Sequence, residues 1–77
     1  MPTRGRAFVD YELLVAGTID LAVFDLLGNR VKTLACGRAA AGRHRAIWDA
    51  SGMPSGAYFL ALEAGADRQM RQFVITR

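Results

Sequence analysis

The stretch Trp48-Asp49-Ala50-Ser51-Gly52-Met53-Pro54-Ser55-Gly56-Ala57-Tyr58-Phe59 reads as strand, tight turn, strand. An aromatic closes one alternating segment, and an aromatic pair opens the next. Between them Asp, Ser, Gly and Pro fix the turn through side-chain hydrogen bonds, a locked φ and freedom at positive φ. No nucleophile stands beside a base here, and no cluster of metal ligands forms. The same punctuation recurs along the chain and marks a small all-β module.

On either side of this stretch the apolar residues alternate with period two. Ala7, Val9, Tyr11 and Leu13 share one face, with Asp10 and Glu12 opposite. After a turn at Ala16-Gly17-Thr18, Ile19, Leu21 and Val23 alternate with Asp20 and Ala22 up to Phe24-Asp25. Leu26-Leu27-Gly28-Asn29 is the next turn, with Gly28 and Asn29 the residues most tolerant of positive φ. A short strand over Arg30 to Leu34 is expected to point Val31 inward. Cys36 to Gly42 is expected as a loop between sheets, because Gly37 and Gly42 bracket its Ala run too closely for a stable helix. Arg43 to Asp49 forms a strand with His44, Ala46 and Trp48 on one face. Ala57 to Ala64 sets Tyr58, Leu60 and Leu62 against Phe59, Ala61 and Glu63; being apolar on both faces, it is expected mid-sheet and covered on both sides. Gly65-Ala66-Asp67 turns the chain into a last strand, Arg68 to Thr76. Six or seven such strands predict an antiparallel β-sandwich. One domain spans residues 1–77, with 1–5 expected as a flexible N-terminal extension.

The 77 residues are 52% apolar, which excludes a disordered chain. No apolar run approaches the ~20 residues of a bilayer span, and no apolar segment follows Arg4 and Arg6 as a signal peptide requires. The net charge of +3 is spread over Arg4, Arg6, Arg30, Lys32, Arg38, Arg43, Arg45, Arg68, Arg71 and Arg77, with acidic residues interleaved. A nucleic-acid groove would cluster these charges with exposed aromatics, so neither nucleic acid nor a small-molecule substrate is expected as a partner.

Candidate chemistry is sparse. His44 is the only histidine and Cys36 the only cysteine, so no internal disulfide, His/Cys metal cluster or His-based triad can form. Ser51 and Ser55 read as turn hydroxyls, and no glycine-rich phosphate loop occurs. Asp25 and Asp49 each end a strand before a turn. They read as Asx-turns, or alternatively as two loop carboxylates of a calcium site, although two carboxylates are few for a hard cation. The expectation is therefore no metal, no cofactor and no enzyme. Trp48, Tyr58 and Phe59 read as core, with a sugar-binding platform as the alternative.

The spaced motifs Val9-x-Tyr11-x-Leu13, Leu21-Ala22-Val23-Phe24-Asp25-x-x-Gly28-x-x-Val31-x-x-Leu34, Ala41-Gly42-x-His44-x-x-x-Trp48-Asp49 and Ser55-Gly56-x-Tyr58-Phe59-x-x-Leu62 together resemble a known family. It is the C-terminal sorting domain of cargo exported by the type IX secretion system, closely akin to the immunoglobulin-like domain of flagellar hook-capping proteins. The basic and apolar final strand, Arg68 to Arg77, and the short link from Asp49 to Gly56 are more similar to the sorting branch. The resemblance implies an immunoglobulin-like sandwich of about seven strands in which Asp25, Gly28, Gly42, Trp48 and Asp49 are structural. It implies recognition through Gly56, Tyr58, Phe59, Arg68, Arg71 and Arg77 by an outer-membrane secretion translocon and a sortase-like peptidase. The location implied is extracellular or at the bacterial cell surface, peripheral to the outer membrane at most. The alternative is a structural subunit that assembles with copies of itself through strand edges.

Overall fold

The computed structural model describes residues 2–3 and 6–76, with side chains described from Arg6 onward. The strands are β1 (Pro2–Thr3), β2 (Arg6–Leu13), β3 (Gly17–Phe24), β4 (Arg30–Ala39), β5 (Gly42–Asp49), β6 (Gly56–Ala64) and β7 (Asp67–Ile75). Six are full strands, where about seven were expected; β1 is a two-residue strip. Of the expected extension, residues 1, 4 and 5 lie outside the described residues, and Pro2–Thr3 runs parallel to Val74–Ile75.

Two sheets result. The broad one has the order β1-β7-β6-β3-β4, and the narrow one is the antiparallel pair β2-β5. Alternation decides which side of each strand faces the other sheet. Leu13, Ala46 and Trp48 from the narrow sheet are buried, as are Ile19, Leu21, Val23, Tyr58 and Ile75 from the broad one. Val23, Trp48, Ala50, Tyr58 and Ile75 form the central cluster, with Val9, Leu34, Leu60 and Phe73 packed around it. Each large aliphatic side chain among them contributes roughly 1.5–3 kcal/mol by leaving water.

β4 departs from the sequence reading. It runs from Arg30 through Ala39, so the stretch expected as a loop from Cys36 is mostly strand. The cause is tertiary: Cys36, Gly37, Arg38 and Ala39 pair with Asp20, Ile19, Thr18 and Gly17 of β3. Two register shifts let β4 keep pace, one opposite Leu21/Ala22 and one opposite Val23/Phe24. They leave Leu34 and Val31 as the extra residues. A bulge re-aims its side chain, and Val31 is 44% exposed rather than inward.

β6 lies mid-sheet, as expected, between β3 and β7. Among the described residues no second layer covers its other face, because the two narrow-sheet strands can shield only one. On the outer face Ala22 and Ala61 are directly paired and nonetheless buried. Their small side chains lie between the rows Phe24/Phe59 and Asp20/Glu63, which screen them.

Candidate functional site

The link between β5 and β6 is built from its own polar groups. Asp49 Oδ1 accepts the Ser51 N–H at 2.9 Å, and Met53 N–H donates to the Ala50 carbonyl at 3.1 Å. The Ser51 hydrogen bonds hold the Asp49 carboxyl below its usual range. Tyr58 O–H donates to the Pro54 carbonyl at 2.6 Å. Its ring stays buried beside Phe73, with centroids 5.9 Å apart. Trp48 is 6% exposed, so Trp48 and Tyr58 belong to the core and form no sugar platform. Gly56 opens β6 on the surface, opposite Ile75.

The β3–β4 loop follows the same logic. Asp25 Oδ1 accepts the N–H groups of Leu27 and Asn29, each at 2.9 Å, and Oδ2 accepts Asn29 Nδ2 at 3.2 Å. These bonds, led by the Asn29 N–H, hold the Asp25 carboxyl below its usual range. Gly28 supplies the positive φ of 87° that the loop needs, and donates its N–H to the Asp25 carbonyl. Both aspartates therefore act as Asx-turn residues. Gly42 begins β5 opposite Leu13, next to the link from β4. His44 Nε2 lies 2.7 Å from the Ala40 carbonyl, to which it donates, and its ring stacks on Tyr11.

β6 and β7 form a hairpin through Gly65 and Ala66, registered from Ala64↔Asp67 to Gly56↔Ile75. Gly65 has φ 61°, while among the described residues none other than glycine has positive φ. That combination suits a two-residue type II′ turn. Phe59, expected in the core, instead lies half-buried on the outer face between Phe24 and Gln72, because it alternates with the inward Tyr58 and Leu60. On the same face Arg68 stands opposite Glu63 at 3.6 Å. Arg71 pairs with Leu60 and so belongs to the inward row with Phe73 and Ile75. Arg68 and Arg71 thus present charge on opposite faces of β7 and form no single patch. Arg77 lies outside the described residues.

Arg71 is exposed although it is on an inward row, because the narrow sheet ends at β2. The mismatch in width leaves an open groove of about 610 Å³ between β2 and β7, lined among others by Val9, Tyr11, Leu21, Trp48, Leu60 and Phe73. Periodicity in one strand carries no signal for this groove, which comes from unequal strand numbers in two sheets. Two ion pairs were also missed. Arg45 grips Asp10 at 2.7 Å, and Arg30 grips Asp20 at 2.7 Å. Arg45 stands directly opposite Asp10, whereas Arg30 is registered opposite Phe24 and reaches along β3 to Asp20. Arg30 and Arg45 also lie over the Phe24 and Phe8 rings.

Residues 1–76 match the family model described as "Secretion system C-terminal sorting domain". No curated protein and no solved structure matches the chain. The chain belongs to the family of C-terminal sorting domains, the signals through which the type IX secretion system exports a longer precursor to the cell surface or beyond.

Proposed function

We propose that the signal read by the export machinery is the β6–β7 hairpin, with Gly56, Tyr58 and Phe59 setting its shape and Arg68, Arg71 and Arg77 supplying its charge. The observation that carries this reading is the edge of β7. From Asp67 to Phe73 no strand covers it among the described residues, because β1 pairs only with Val74 and Ile75. An open edge next to exposed cations offers a partner both backbone pairing and charge. Tyr58 acts at one remove: its bond to Pro54 fixes the link that leads into the hairpin.

The domain fits an immunoglobulin-like sandwich of residues 1–77. Consecutive strands β2 and β3, β4 and β5, and β5 and β6 change sheet, while β3-β4 and β6-β7 stay within the broad one. In this reading a sortase-like peptidase removes the folded tail after passage.

The test is a reporter carrying an N-terminal signal peptide and ending in these 77 residues, expressed in a host with the type IX machinery. Export is expected, followed by loss of about 8.4 kDa as the tail is cut off. Deleting residues 69–77 should abolish export but also removes Phe73 and Ile75 from the packing. Arg68→Glu and Arg71→Glu keep both in place and separate recognition from folding. Undiminished export of both variants would overturn this assignment.

A further inference from the structure

We propose that the open edge of β7 seats the polypeptide that precedes the domain in its precursor, laid parallel to β7 as an upstream continuation of β1. The proposal relies on the family's place at the C-terminal end of a longer protein, and goes beyond it by assigning the edge an occupant that the export machinery displaces when it pairs there.

Direction and register come first. β1 is parallel to β7, with Pro2 opposite Val74 and Thr3 opposite Ile75. A chain continued upstream in that register runs alongside Phe73, Gln72, Arg71, Met70 and Gln69 in turn. At about 3.3 Å per residue on both strands, about seven residues span the uncovered edge from Phe73 to Asp67.

The backbone groups on that edge are free to receive it. In a two-residue hairpin the residues flanking the turn exchange both hydrogen bonds, and bonded pairs then recur at every second position. Here Ala64 and Asp67 flank the turn. Asp67, Gln69, Arg71, Phe73 and Ile75 therefore bond to β6, while the N–H and C=O groups of Arg68, Met70, Gln72 and Val74 point away from it. Val74 meets β1. The other three present a ready ladder.

The side chains on the same edge are amphipathic. The groove beneath it is floored by Leu21, Trp48 and Leu60 and bordered by Asp10 and Arg71. A strand laid there turns every second side chain toward that apolar floor and the others toward solvent. A long bare edge invites unwanted pairing with other chains. A preceding segment that is always tethered reaches it at high effective concentration. A second copy of the domain has no such tether, and β1 already occupies one end of the edge.

The test is amide hydrogen exchange, read residue by residue, on three forms: the 77-residue domain, the domain with the twelve residues that precede it in its precursor, and the domain with a Gly/Ser segment of equal length. The amides of Arg68, Met70 and Gln72 are expected to exchange at least tenfold more slowly in the natively extended form than in the other two. Equal rates in all three forms overturn the proposal, as does equal slowing by the Gly/Ser segment. Protection in the 77-residue domain that grows with concentration, alongside a dimer in sedimentation, assigns the edge to a second copy and also overturns it. Export of the reporter fusion is measured independently, so failure here is distinguishable from failure of the hairpin as signal.

Discussion

Trp48 and Phe73 meet edge to face across the sandwich, with ring centroids 6.1 Å apart and planes at 85°. Trp48 belongs to the narrow sheet and Phe73 to β7 of the broad one. Phe73 in turn stacks on Tyr58, whose hydroxyl holds the link between β5 and β6. Three rings thus join both sheets to the turn that leads into the hairpin. Such an edge-to-face pair contributes about 0.5–1.5 kcal/mol beyond its buried area. β7 is anchored on the central cluster through Phe73 and Ile75, so the strand proposed as signal and the stability of the fold are coupled.

Replacing Trp48 with Ala is therefore expected to cost about 3–5 kcal/mol. A domain of this size holds roughly 4–12 kcal/mol in all, at about 0.05–0.15 kcal/mol per residue. Trp48→Phe should be much milder. It keeps an aromatic ring facing Phe73, and it removes an indole N–H that is buried without a hydrogen-bond partner among the described residues. Urea titration of both variants checks this. A Trp48→Ala domain that unfolds near the parent midpoint would contradict the packing.

Tyr58→Phe isolates one hydrogen bond. The ring and its stacking remain, and only the O–H donated to the Pro54 carbonyl is lost. The expected loss is about 0.5–1.5 kcal/mol, read as a lower melting temperature with unchanged strand signal in circular dichroism. No change in melting temperature would mean that water replaces the bond without loss.

Acid should weaken the domain, for a reason that can be assigned to residues. Hydrogen bonds from Asn29 hold Asp25 below its usual range, and the Arg30 and Arg45 guanidinium groups do the same for Asp20 and Asp10. A carboxyl depressed in the folded state binds protons more readily when unfolded. Its contribution is present above the unfolded value of about 3.9 and is lost as pH falls through the lower folded value. Stability should therefore hold from neutral pH down to about 4 and fall below it. Asp25→Asn keeps an acceptor for the loop N–H groups but no longer titrates, so its acid limb should be shallower. An unchanged acid limb in Asp25→Asn would remove this loop from the account.

Most strands were legible in the sequence because burial on one face enforces alternation. Ala7, Val9, Tyr11 and Leu13 can be read without knowing any partner. The Asx-turns at Asp25 and Asp49 were equally legible, since the acceptor and its loop amides are neighbours in the chain. β4 was not. Gly37 and Gly42, which bracket Arg38-Ala39-Ala40-Ala41 too closely for a helix, argue for a loop, whereas pairing with β3 extends the strand to Ala39. Val31 was misplaced for the same reason, because a bulge depends on how two strands keep step. The opposite facing of Arg68 and Arg71 follows from their odd spacing alone. The groove beside Arg71 required the strand count of both sheets.

That opposite facing gives the sharpest test of the signal. Arg68 and Arg71 are exposed, so reversing either charge should shift stability by no more than about 0.5 kcal/mol and leave the reporter folded. Arg68→Glu also sets two carboxylates face to face, because Glu63 is its cross-strand neighbour. The swap Arg68→Glu with Glu63→Arg restores an opposite-charge pair while moving the positive charge from β7 to β6. If the machinery reads the position of the charge, both Arg68→Glu and the swap should export poorly while melting like the parent. If the swap restores export, Arg68 serves only its pair with Glu63, and the signal on the outer face is lost from the account. Arg71→Glu has no acidic cross-strand neighbour, since Leu60 stands opposite. Weaker export from that variant therefore reports lost recognition on the groove side. Normal export from it would remove Arg71 and the groove side from the signal.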